Sequence, residues 1–96
     1  MGKKVHSKEM DRLYEGILQL KSTEECKLFF EDLCTMNELI SLAQRFEVAR
    51  MLREDHTYQE IAELTGASTA TISRVNRSLT YGNDGYNLVM DRLNNE

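Results

Sequence analysis

Thr57 to Leu79, TYQEIAELTGASTATISRVNRSL, allows the chain very few folds, because two helix starts lie within one short stretch around a single glycine. Thr57-Tyr58-Gln59-Glu60 has the spacing of a capping box. The Thr hydroxyl can accept from the backbone N–H three residues on, while the Glu carboxylate reaches back to the cap's own N–H. A short helix is therefore expected through Leu64. Thr65-Gly66-Ala67 reads as a turn, and Ser68 as the N-cap of a second helix running to about Leu79. Two short helices joined by a tight glycine-containing turn make a helix-turn-helix, here about 57–79. The residue types suit it. Ala62 is small where the helices must cross. Gly66 stands where the turn needs positive φ, which costs other residues roughly 1 kcal/mol or more. Ile61, Leu64, Ala67, Ile72 and Val75 fall where the pair must bury a shared core.

The flanking sequence is helical as well. The chain has no Pro and only five Gly, so the punctuation of an all-β sandwich or barrel is missing. Met10, Leu13, Tyr14, Ile17 and Leu18 recur at three and four, the stripe of an amphipathic helix. Ser22-Thr23-Glu24-Glu25 fits a capping box and starts a second helix near Thr23, carrying Cys26, Leu28, Phe29, Phe30 and Leu33. Thr35-Met36-Asn37-Glu38 is another box, opening a long third helix to about Arg53. Tyr81 to Gly85 is the one clear loop cluster, and Tyr86, Leu88, Val89 and Leu93 mark a last short helix. The expectation is an all-α, six-helix chain forming one domain over residues 1–96. The third helix carries Leu39, Ile40, Leu42, Ala43, Phe46, Ala49, Met51 and Leu52, a surface broader than one stripe. A chain of 96 residues buries only about 60–65% of its unfolded surface. It has too little partner surface to cover that helix, which points to a homodimer held by the first three helices. Met10, Met36, Met51 and Met90 read as core filler.

Charge narrows the function. The net charge of −4 excludes a basic sponge for nucleic acid. It is unevenly spread: residues 1–10 sum to +2, 11–40 to −4, 41–81 to zero and 82–96 to −2, and every basic residue in 41–81 is Arg. Arginine suits bidentate contacts to phosphate and to base edges. The second helix of the motif opens with Ser68, Thr69, Ala70, Thr71 and Ser73, followed by Arg74. Small hydroxyl residues and Ala let a helix N-terminus enter the major groove, bond base edges and touch thymine methyls. Its free N–H groups and partial positive charge also favour phosphate. The expected DNA contacts are therefore Thr69, Ala70, Thr71, Ser73 and Arg74 in the groove. Ser68, Gln59, Arg77 and the N-terminal lysines are expected at its edge.

Other functions find little support. His6 and His56 are far apart and lack neighbours at metal-ligand spacing, so no metal site is expected; His56 reads as a solvated loop residue. Two Cys eight residues apart on one helix are about 12 Å apart along its axis, too far for a disulfide. The chain is read as reduced and cytoplasmic, without a secretory signal or a membrane span. No phosphate loop or nucleophile elbow occurs, so no enzyme is expected. A second reading is a helix-turn-helix module that docks a partner of the transcription machinery, favoured by the acidic first half.

Residues 38–81, above all GASTATISRVNRSL with Ala70-Thr71-Ile72 and Arg74, resemble the Trp repressor family, and within it the YerC/YecD group of related bacterial proteins. The resemblance implies an intertwined dimer of six-helix subunits that regulates transcription by binding a two-fold symmetric operator on double-stranded DNA. It also implies where a small-molecule effector would sit. The Trp repressor holds tryptophan between an Arg before the motif and an Arg on the recognition helix, with a Ser one turn further on. Arg74 and Ser78 match the latter two. Arg45 is the nearest candidate for the first, although strict counting lands on Gln44. Val75 stands where the Trp repressor has Gly beside the indole, so no tryptophan corepressor is expected; another effector, or none, fits better, and no cofactor is expected.

Overall fold

A computed structural model describes residues 7–95. The order is α1 Lys8–Ile17, α2 Thr23–Leu33, α3 Met36–Arg53, α4 Tyr58–Thr65, α5 Thr69–Tyr81 and α6 Gly85–Asn94, with no strand among the described residues. The protein is all-α, with the six helices expected.

Local chemistry sets most of the boundaries. The Ser7 hydroxyl accepts from the Met10 N–H at 3.1 Å and the Ser22 hydroxyl from the Glu25 N–H at 3.1 Å, each satisfying one orphan donor of a first turn. The Ser22 box differs from the expected pattern: the Glu25 carboxylate accepts from the Lys21 N–H at 2.9 Å, one residue further back. The α4 box is complete, with Thr57 Oγ1 accepting from the Glu60 N–H at 3.1 Å and Glu60 Oε1 from the Thr57 N–H at 2.8 Å. Helix α5 runs two residues beyond Leu79 and takes Tyr81 out of the expected loop. It stops at Gly82, whose N–H donates to the Ser78 carbonyl at 2.9 Å. A Cβ on Gly82 would collide with that same carbonyl oxygen, so this helix end requires glycine.

The backbone divides into two units that meet at Met36 and Asn37. In the first, α1 and α2 contain no buried residue. Leu13, Ile17, Cys26, Phe29 and Phe30 are half-buried, and the Phe29 and Phe30 rings meet edge to face at 5.4 Å. Leu28 remains 71% exposed and Met10, Tyr14, Leu18 and Leu33 are exposed as well. In the second unit Val48, Ala49, Met51, Ile61, Ala67, Ile72, Val75 and Met90 form one buried cluster, flanked by Leu52, Ala62, Leu79 and Tyr86.

Two expectations about packing need correction. Leu64 is not in the shared core of the motif; it is 73% exposed, because the inward edge of α4 runs through Ile61 and Ala62. Met10 and Met36 are exposed, so only Met51 and Met90 fill the core. The apolar surface of α3 agrees with the expectation that one chain cannot cover it: it is buried only near its C-terminal end, while Ile40, Leu42 and Met36 stay open. No described helix is long and apolar enough to cross a membrane.

Candidate nucleic-acid interface

The two helices of the motif are locked at their turn. Gly66 has φ 75° and ψ 4°, the left-handed conformation that ends α4, and its N–H donates to the Ala62 carbonyl at 2.9 Å. Thr65 Oγ1 donates to the Ile61 carbonyl at 2.7 Å and accepts from the Ala67 N–H at 3.1 Å. From α3, Gln44 Nε2 donates to the Thr65 carbonyl at 3.2 Å, tying the end of α4 to the helix behind it. Ser68 then caps α5. Its Oγ accepts from the Thr71 N–H and lies 3.1 Å from Thr71 Oγ1.

Burial on α5 is one-sided. Ile72 and Val75 are buried and Leu79 is half-buried. At about 100° per residue, Ala70, Ser73, Arg74, Arg77 and Tyr81 fall within an arc of about 100° opposite that edge. All five are exposed, as are Ser68 and Thr69. Thr71 is half-buried and turned toward the flank. Gln59 is exposed on α4, with its amide 3.4 Å from Glu63 Oε1. Of the expected contacts, Lys3 and Lys4 lie outside the described residues.

The electrostatics separate this face from the rest of the unit. Helix α5 carries Arg74 and Arg77 and no acidic residue. Neither arginine has a carboxylate partner among the described residues, nor does Arg45. By contrast, Arg50 is clamped by Glu47 at 2.5 Å and Glu54 at 2.9 Å, and Arg53 by Asp91 at 2.6 Å. The hydrogen bonds to Glu47 and Glu54 make Arg50 hold its proton more tightly, and the Arg50 guanidinium keeps the Glu47 carboxyl below its usual range. Arg50 and Arg53 are therefore neutralised by carboxylates of their own chain, whereas the charges of Arg74 and Arg77 are not. His56 is half-buried rather than solvated, with Nε2 3.7 Å from Glu54 and Nδ1 3.6 Å from Glu60. The Glu60 carboxyl lies below its usual range, chiefly because it accepts the Thr57 N–H, with the Thr57 hydroxyl and His56 adding to the effect.

The candidate effector residues do come together. Arg45, Arg74 and Ser78 line one cavity of about 180 Å³ with Thr71, Val75 and Tyr86. The ambiguity between Gln44 and Arg45 resolves geometrically: Arg45 faces the cavity, and Gln44 is spent on the turn of the motif. Val75 is buried and forms part of the core. Sequence reasoning missed Tyr86, which reaches the cavity from α6 and lies 6.5 Å from the Phe46 ring. No local pattern marks a wall supplied by another helix.

The family model of the Trp repressor protein matches residues 8–94. The chain belongs to the Trp repressor family. This family member is 62% identical over 90 residues to the uncharacterized protein YerC of Bacillus subtilis (strain 168), covering 94% of this chain and 86% of YerC. It superposes on the crystal structure of a TrpR-like protein from Eubacterium eligens with a TM-score of 0.89 and 62% identity, over 92% of this chain and 91% of that one. A Staphylococcus aureus chain gives a TM-score of 0.90 and 51% identity, over 96% and 92%. The family and fold are those of DNA-binding transcription regulators, which are not enzymes.

Proposed function

We propose that this Trp repressor family member is a sequence-specific transcriptional repressor that binds a two-fold symmetric operator as an intertwined homodimer in the cytoplasm. The observation that carries the DNA reading is α5: an exposed, acid-free helix face with two unpaired arginines, in a chain whose net charge is −4. A general acidic surface would keep such a protein off DNA, so the attraction must be local and oriented. Thr69, Ala70, Thr71, Ser73 and Arg74 would meet base edges. Gln59, Ser68 and Arg77 would meet phosphate. The dimer reading is supported by the first unit, whose helices bury no residue of their own. Two copies covering those faces would make 1–96 a single cooperative domain.

No tryptophan corepressor belongs to this proposal. Val75 is buried and lines the cavity with Arg45, Arg74 and Ser78, so a branched side chain stands where the Trp repressor has Gly beside the indole. The cavity of about 180 Å³ is also smaller than the 300–1,000 Å³ of ordinary ligand pockets.

Selection of bound duplexes from a random pool tests the proposal and reads the operator together. Enrichment of a two-fold symmetric sequence supports it. No enrichment above input at low salt overturns it in favour of a helix-turn-helix that docks protein.

A further inference from the structure

The exposed face of α5 continues past the residues expected to read bases. Tyr81 is 82% exposed in the last position of the helix and lies four residues beyond Arg77 on the same face. Arg74, Arg77, Ser78, Tyr81 and Gly82 line one shallow, open groove. It holds two guanidinium groups without carboxylate partners, two hydroxyls and no acidic side chain. A large aromatic side chain so exposed contributes nothing to the fold of its own chain, and its phenol can donate one strong hydrogen bond.

Position along the helix selects the chemistry it would meet. The base-reading residues begin at Thr69, near the helix start. Arg77 lies about 12 Å further along the axis and Tyr81 about 18 Å, at about 1.5 Å per residue. The major groove is about 12 Å wide. A helix that enters by its N-terminus therefore carries Arg77 and Tyr81 to the wall of the groove, where the sugar-phosphate backbone lies, and beyond the reach of base edges. We infer that Arg77 and Tyr81 together grip one backbone phosphate of each half-site, the guanidinium pairing with its charge and the phenol donating a hydrogen bond to an oxygen. This extends the DNA-binding reading above and depends on it. Charge complementarity names the occupant: the groove's charged side chains are both cationic and its two hydroxyls can donate, as a phosphodiester requires. Gly82, which has no side chain, leaves its open end clear.

The two contacts have different signatures. An arginine on phosphate releases a counterion and a neutral phenol does not. Affinity of full-length wild type, Tyr81→Phe and Arg77→Ala should be measured for a selected operator and a scrambled duplex across a salt series. Tyr81→Phe keeps the ring and the fold while removing the hydroxyl. It is expected to bind both duplexes about tenfold more weakly with an unchanged salt slope. Arg77→Ala is expected to weaken both and to lower the slope by about one. Tyr81→Phe binding at parity with wild type, or a loss confined to one base-pair position, overturns the phosphate grip while leaving the regulator reading standing. An unchanged slope in Arg77→Ala does the same. Wild-type protein that binds neither duplex at low salt overturns both.

Discussion

Gly66 and Arg74 show how single residues divide the work of the motif. Gly66 has φ 75°, and a Cβ built there meets nothing within 4 Å. Any penalty for substitution is therefore backbone strain, not a clash. Gly66→Val is expected to destabilise the protein by about 1–3 kcal/mol, since a β-branched residue is poorly tolerated at positive φ. Thermal melts measure this, and an unchanged midpoint would mean that the turn relaxes into another conformation. Arg74 touches two surfaces at once: it lies on the outward face of α5 and lines the cavity with Arg45 and Ser78. Arg74→Ala is expected to weaken operator binding by about 1–3 kcal/mol and to relax preference at one position of each half-site. Full affinity at moderate salt would show that α5 meets DNA in a different register.

At the scale of elements, the capping box of α4 joins local structure to pH. Glu60 is ionised in the box, its carboxylate accepting the Thr57 N–H at 2.8 Å with His56 Nδ1 3.6 Å away. These contacts lower its folded pKa below the ordinary value of 4.5. The unfolded chain therefore takes up the proton first as pH falls. The stabilisation is complete above the ordinary glutamate range and is lost as pH drops through the lower folded value. Glu60→Gln, which cannot ionise, is expected to melt below wild type at pH 7 and to converge with it in strong acid. Parallel melting curves at every pH would show that the charge of Glu60 contributes nothing to the box. The other helices start on the same local chemistry, and their N-terminal boundaries were legible in Ser22, Thr57 and Ser68 because each cap acts within four residues.

For the whole molecule, the imbalance between the two units is the governing fact. Among the described residues all the buried ones lie in the second unit, and the apolar side chains of α1, α2 and the start of α3 are at best half-buried. Sedimentation at low micromolar concentration is expected to give twice the 11.1 kDa chain mass. A stable monomer that still binds an operator half-site would remove the dimer. Tryptophan at millimolar concentration is expected to leave the melting midpoint and DNA affinity unchanged. A ligand present at 100 times its dissociation constant stabilises the native state by about 2.7 kcal/mol, well within reach of a melt. An upward shift with L-tryptophan but not with D-tryptophan or indole would show that Val75 leaves room for the indole after all.

Caps, periodicity and the turn glycine determined the helix number, order and starts, because each acts over a few residues through backbone hydrogen bonds and φ preference. Helix α5 and its outward hydroxyls and arginines were legible for the same reason. Tertiary structure alone decided which side of each helix would be covered. Leu64 and Ile61 are equally apolar and three residues apart, yet one is exposed and the other buried, because α5 packs along only one edge of α4. It also decided that Gln44 holds the turn while Arg45 faces the cavity, a difference of about 100° around one helix. Tyr86 became a wall of that cavity only through packing across the chain. Sequence periodicity reports a side chain's direction from its own axis; whether that direction meets protein or solvent depends on helices distant in sequence.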